Sequence, residues 1–214
     1  MQRIIILLLV TTFLTACAQT QSMRMSANAS FGCSDTDYKD SRFIGSTDDG
    51  CGYKVVGRVG GGVMQPILDI PEKGEPLGSE GRPVNTLEAE AGYVKHGDMD
   101  FNGLWLGTPD TGTVEADGYI LGLVYTRRIT NALDLFAGGG AHWWDAEERE
   151  IFGGTPEYHD ASGTSPYYGL GGRYWFHPSA AIRASWERYT DVGKTDVTGR
   201  GDIDNWWLGM DYRF

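Results

Sequence analysis

From residue 24 onward, apolar and polar positions alternate with a period of two in eight segments, separated by Gly-, Asp- and Pro-rich stretches. Strict alternation predicts strands with two chemically different faces. The segments are residues 24–33 (RMSANASFGC), Tyr53–Val63, Thr86–Lys95, Gly118–Thr126, Leu133–Trp144, Tyr167–Trp175, Ala181–Tyr189 and Asn205–Phe214. Their lengths are close to the 9–11 residues of a strand that crosses a bilayer at a tilt.

The faces sort consistently. In the third segment Leu87, Ala89, Ala91 and Tyr93 oppose Glu88, Glu90 and Gly92. In the seventh, Ile182, Ala184 and Trp186 oppose Arg183, Ser185 and Glu187. In the last, Trp206, Leu208, Met210, Tyr212 and Phe214 oppose Asn205, Trp207, Gly209, Asp211 and Arg213. A soluble sandwich would turn its apolar faces inward. Tyr and Trp near the ends of the apolar rows instead suggest an interfacial girdle, with apolar faces outward in lipid.

The connections differ in length. RRITNA and FHPSA are short, as periplasmic turns are. The stretches at about 34–50, 96–117, 145–166 and 190–204 are long and acidic, as extracellular loops are. Residues 64–85, with four of the eight prolines, stand where a short turn belongs and read as an enlarged periplasmic turn.

Composition narrows the class. The mean hydropathy of -0.32 and the absence of any apolar run of about 20 residues beyond position 20 exclude a helical membrane bundle but not a barrel. The 31 Gly, 7 Trp and 11 Tyr suit strands. A net charge of -11 argues against nucleic acid as a partner.

The N-terminus has the form of an export signal over residues 1–18. Arg3 is followed by an apolar stretch from Ile4 to Leu14. Cleavage before Cys17 would leave it as a lipidated N-terminus; cleavage after Ala18 would leave residues 19–214 as the mature barrel. Both readings stand. Cys33 and Cys51 lie in the exported part, where disulfides persist, and are read as a pair. No CxxC pair and no EF-hand-like spacing occurs, so no metal or cofactor is assigned.

With the faces in place, the chain resembles the outer-membrane protein A-like family of eight-stranded barrels. The resemblance rests on LEAEAGYV, ADGYILGLVY, LDLFAGGGAHWWDA, YYGLGGRYWFHPSAAIRASWERYTDVG and DIDNWWLGMDYRF. It implies an all-β, up-and-down transmembrane barrel in the bacterial outer membrane. The expected partners are outer-membrane lipid and lipopolysaccharide, and the barrel would be a monomer. It also implies that Tyr212 and Phe214 are read by the outer-membrane assembly machinery. The peptidoglycan-binding domain of some relatives is not found in these residues.

An eight-stranded barrel has room for side chains and little more. The inward set Lys54, Arg58, Arg173, Arg183 and Arg213 with Glu88, Glu90, Glu187 and Asp211 is expected to form a paired polar plug. A narrow pore is the competing reading. His142 is placed inward; His96, His159 and His177 are placed in loops or turns, as are Trp105, Phe152 and Tyr158. Glu147, Glu148 and Glu150 read as solvated charge. No compact Ser–His–acid set of the kind nucleophilic catalysis needs is visible, so no enzyme is assigned, although lipid A-modifying barrels exist. The expected role is structural, in the envelope, with adhesion or recognition through the loops as the alternative.

Overall fold

The computed structural model describes residues 24–38, 43–62, 85–194 and 199–214. The signal segment 1–18 with Cys17, and nearly all of the 64–85 connection, lie outside the described residues. The described chain is all strand: β1 (Arg24–Tyr38), β2 (Phe43–Thr47), β3 (Gly50–Gly62), β4 (Asn85–Trp105), β5 (Thr108–Arg128), β6 (Leu133–Phe152), β7 (Thr155–His177), β8 (Ala180–Lys194) and β9 (Gly199–Arg213).

All pairings are antiparallel, and the sheet closes on itself. Each of β3 through β8 pairs with the next, and β1 lies between β3 and β9. At the level of the lipid-facing rows, closure gives each of the eight described strands a partner on both sides, a condition for any sheet surrounded by lipid. Eight staves form the barrel, as the period predicts. The ninth strand, β2, continues the stave of β3 along the outer end of β4, pairing Phe43–Thr47 with Phe101–Trp105.

The long loops expected at 96–117 and 145–166 are strand instead. Strands β4 and β5 stay paired as far as Trp105 opposite Thr108, and β6 and β7 as far as Phe152 opposite Thr155. Each hairpin reverses in two residues. Leu106 (φ 49°) and Gly107 (φ 86°) turn the first; Gly153 (φ 56°) and Gly154 (φ 90°) turn the second. Positive φ at both central positions marks the primed turns whose twist matches paired strands. Gly153-Gly154 is a sequence signature of such a turn, masked by the polar residues around it. The 34–50 and 190–204 stretches are likewise mostly strand in their described parts. His96, Trp105, Phe152, Tyr158 and His159 therefore sit on strands, not in loops.

At about 3.4 Å per residue, a 21-residue strand such as β4 is roughly 70 Å long, far more than a tilted crossing of a 30 Å hydrocarbon layer needs. The side chains record where the layer ends. Along the lower part, Leu87, Leu121, Leu123, Leu135, Leu170, Ile182, Leu208 and Met210 point outward and are exposed. Tyr53, Tyr93, Tyr119, Trp143, Tyr168, Trp186 and Trp206 follow them round the outside, with Tyr93 and Tyr119 in edge-on contact at 5.5 Å. Beyond these rings the outward row turns polar: Asp98, Asp100, Glu115, Asp117, Asp145 and Glu147.

The inward row changes in the opposite sense. Below the aromatic rings it is polar and charged. Above them it is a hydrophobic cluster that includes Met99, Phe101, Val114, Trp144, Ile203 and Trp207. The same closed sheet is thus apolar-out within the membrane and apolar-in above it. Each half follows its solvent: lipid outside the lower part, water outside the upper part.

Candidate functional site: the lumen plug and the hairpin tips

Eight of the nine predicted lumen residues meet in one network. Lys54 Nζ donates to both oxygens of Glu187, at 2.8 and 2.7 Å, and lies 3.9 Å from Glu90. Arg58 donates from Nε to Glu90 at 2.8 Å and from Nη1 to Asp211 at 2.9 Å. Arg173 donates to Glu88 at 3.0 Å and to the Thr126 hydroxyl at 2.8 Å, and also faces Asp211 at 3.4 Å. Arg183 lies 3.7 Å from Glu187 and 3.9 Å from Asp211. All eight side chains are buried. Arg213 lies below them, 4.1 Å over the Trp175 ring.

Four cations thus face four carboxylates, so the lumen holds no large net charge. Residues the sequence reading did not name complete the plug. Tyr167 and Tyr189 donate their hydroxyls to Glu90 and Glu187, each at 2.8 Å. Phe136 lies under both Arg183, at 3.8 Å, and Arg173, at 5.2 Å. Each was legible as an inward position of its strand; none could be assigned a partner without the barrel's curvature.

A second layer seals the lumen above the charges. His96 and His142 pack edge-on at 5.2 Å, and both meet Tyr189, at 4.5 and 4.9 Å. His96 Nδ1 is 3.0 Å from the Asn205 amide. The Ser34 hydroxyl, with one proton to give, lies within hydrogen-bond reach of both the Asn205 side-chain oxygen and the His96 carbonyl. Inward placement of His142 agrees with the sequence period. His96 was missed because its hydrophobic run ends at Lys95, where a bulge shifts the register.

Cys33 and Cys51 are joined by a disulfide. They are directly opposed on β1 and β3, which staples the two strands at the level where β2 and β3 separate.

The tip of the β6–β7 hairpin carries a separate group. Glu150 and Glu157 are opposed across the ladder, and Glu148 is opposed to His159, all on the inward face. His159 Nε2 is 3.1 Å from Glu150 Oε1 and 3.5 Å from Glu157 Oε2. Asp110, on the neighbouring β5, joins them. Burial and the nearby Glu150 push the Asp110 carboxyl up to about 6. Burial, then Glu150 and Asp110, push Glu148 up to about 8. Alongside, on the outer part of the barrel, a cleft of about 560 Å³ is lined by Ser46, Asp48, Asp100, Asn102, Arg149 and Glu157, among others.

The family model described as outer membrane protein beta-barrel domain matches residues 5–214. Ail, the attachment invasion locus protein of Yersinia pestis, crystallised with the heparin analogue sucrose octasulfate, is similar in structure. The identity is 18% and the TM-score 0.52, over 91% of this chain and 100% of that one. OprG of Pseudomonas aeruginosa is similar at 10% identity and a TM-score of 0.50, over 90% of this chain and 96% of that one. At these identities the likeness establishes the fold. No curated protein matches the chain.

Proposed function

Because the chain belongs to the outer membrane protein β-barrel family and resides in the bacterial outer membrane, we propose that it is a non-conducting structural barrel that carries stiff, acidic β-hairpins above the membrane. The observation that carries this reading is the plug. Four buried cations and four buried carboxylates lock to one another, and a His96–His142–Tyr189 layer covers them. Buried charges that keep close partners resist separation, since removing one partner costs about 3–5 kcal/mol. A water-filled pore would require those pairs to open.

The envelope is the place where such a barrel acts. Its lower belt matches lipid, and its β4–β5 and β6–β7 hairpins add height by continuing as paired strand to two-residue turns. Acids on their outward faces, including Asp98, Asp100, Glu115 and Glu147, face the medium. Lipopolysaccharide and outer-membrane lipid are its surroundings, a monomer is its working state, and Tyr212 and Phe214 on the lipid-facing row of β9 are the residues offered to the assembly machinery.

Single-channel recording of the purified barrel in a planar bilayer tests the proposal. A silent bilayer is expected. Steady, reproducible conductance steps would overturn it. A recognition role is the second reading, favoured by the acid-lined cleft near Asp48, Asp100 and Glu157. It would take a cationic partner, and binding that is lost on deletion of the β4–β5 and β6–β7 tips while the barrel still folds would favour it.

A further inference from the structure

We propose that the tip of the β6–β7 hairpin is a divalent transition-metal site, of zinc type, with Glu150, Glu157 and His159 as ligands and Asp110 as the adjoining carboxylate.

The ladder register builds the site. Glu157 and His159 are two apart on β7, so both side chains leave the same face. Glu150 is the direct cross-strand partner of Glu157. One donor atom from each of the three lies within 4.8 Å of the others. The His159–Glu150 and His159–Glu157 separations, 3.1 and 3.5 Å, bracket the roughly 3.3 Å between donors placed about 2.0–2.1 Å from a tetrahedral zinc ion.

A second observation points to a ligand. Asp110 is only 4% exposed, and its Oδ1 has no hydrogen-bond partner among the described residues. Its carboxyl faces Glu150 and Glu157. Glu148, also buried, faces Glu150 and Asp110. Four carboxylates therefore converge with one imidazole. Among the described residues no lysine or arginine pairs with any of the four. Arg149, the nearest in sequence, points to the outer face and meets Glu115 and Glu147 instead. A bare acid surface would spread such charges into water. Here the hairpin holds them together, Asp110 and Glu148 buried, where a cation is the missing partner.

The donor chemistry selects the ion. Calcium and magnesium take oxygen ligands, whereas an imidazole combined with carboxylates suits zinc and its neighbours. The hairpin tip stands above the membrane-facing rows, where an external ion can reach it.

Titrating zinc ion alone into the folded, metal-stripped full barrel in detergent, followed by calorimetry, tests the assignment. One zinc per chain is expected, with calcium in excess failing to displace it. His159→Ala and Glu157→Gln should each weaken binding at least about tenfold, and His177→Ala, at the opposite end of β7, should leave it unchanged. Folding of each variant is checked by its heat-modifiable gel migration. Hydrogen exchange on the wild-type barrel gives a readout that needs no variant: zinc should slow exchange at the β6–β7 tip and not at the β8–β9 end. Absence of saturable zinc binding, binding indifferent to His159→Ala, or equal displacement by calcium would each overturn the proposal.

Discussion

Arg58 and Asp211 meet at 2.9 Å in the lumen although 153 positions separate them. They stand on β3 and β9, two strands that do not pair; β1 lies between them. Only the curvature of a closed barrel brings side chains from such strands together across its interior. Asp211 also faces Arg173 and Arg183, so a single carboxylate holds three guanidinium groups in place.

Asp211→Ala should therefore destabilise the barrel by about 3–5 kcal/mol, because three buried cations lose their common partner. Arg58→Ala alone should cost a similar amount. The double variant should cost clearly less than the sum, since the two changes remove one shared interaction. Urea unfolding in lipid vesicles, read by tryptophan fluorescence, measures all three.

Gly122 is the cross-strand neighbour of Glu90, and a Cβ there would collide with the Tyr167 hydroxyl and the Gly139 carbonyl. That hydroxyl is the donor to Glu90. Gly122→Val should cost at least about 1–3 kcal/mol by overpacking. Tyr167→Phe, which keeps the ring and removes only the hydroxyl, should cost about 1–3 kcal/mol by leaving Glu90 one donor short. The same unfolding assay compares them.

The change in outward chemistry past the aromatic rings places the membrane boundary. Leu121→Arg, in the lipid-facing row, should cost about 2–4 kcal/mol. Ile151→Arg is equally exposed but lies at the hairpin tip, and should change stability by no more than about 0.5 kcal/mol. Equal costs at the two positions, measured in vesicles of one lipid, would contradict this placement.

Leu106 adopts φ 49° in the β4–β5 turn, a conformation unfavourable to a branched apolar side chain. Leu106→Asn should stabilise the hairpin by about 1 kcal/mol, since Asn tolerates that region. Slower amide exchange at the tip, with exchange in the lumen-lining segments unchanged, is the expected signature.

The period-two pattern by itself determined the membrane-level part of each stave, its faces, the number of staves, and which charged residues point into the lumen. Lys54, Arg58, Glu88, Glu90, Arg173, Arg183, Glu187 and Asp211 all lie inward where alternation puts them, because a strand's side chains have no third direction. Cys33 and Cys51 were likewise legible as a pair, since an exported chain keeps its disulfides.

The tertiary structure alone decided who meets whom. Register is fixed by the ladder and by closure of the sheet, and neither is written in one strand's sequence. Only closure sets Arg58 against Asp211 and Tyr167 against Glu90. Polar residues beyond Lys95 and Asp145 look like loop because they face water on the outside; paired backbones and the inward cluster around Phe101 and Trp144 keep them in strand. Glu150 and His159 read singly as solvated charge and as a loop histidine. They become one site because a two-residue turn folds β7 back onto β6 and sets them on the same inward face, 3.1 Å apart.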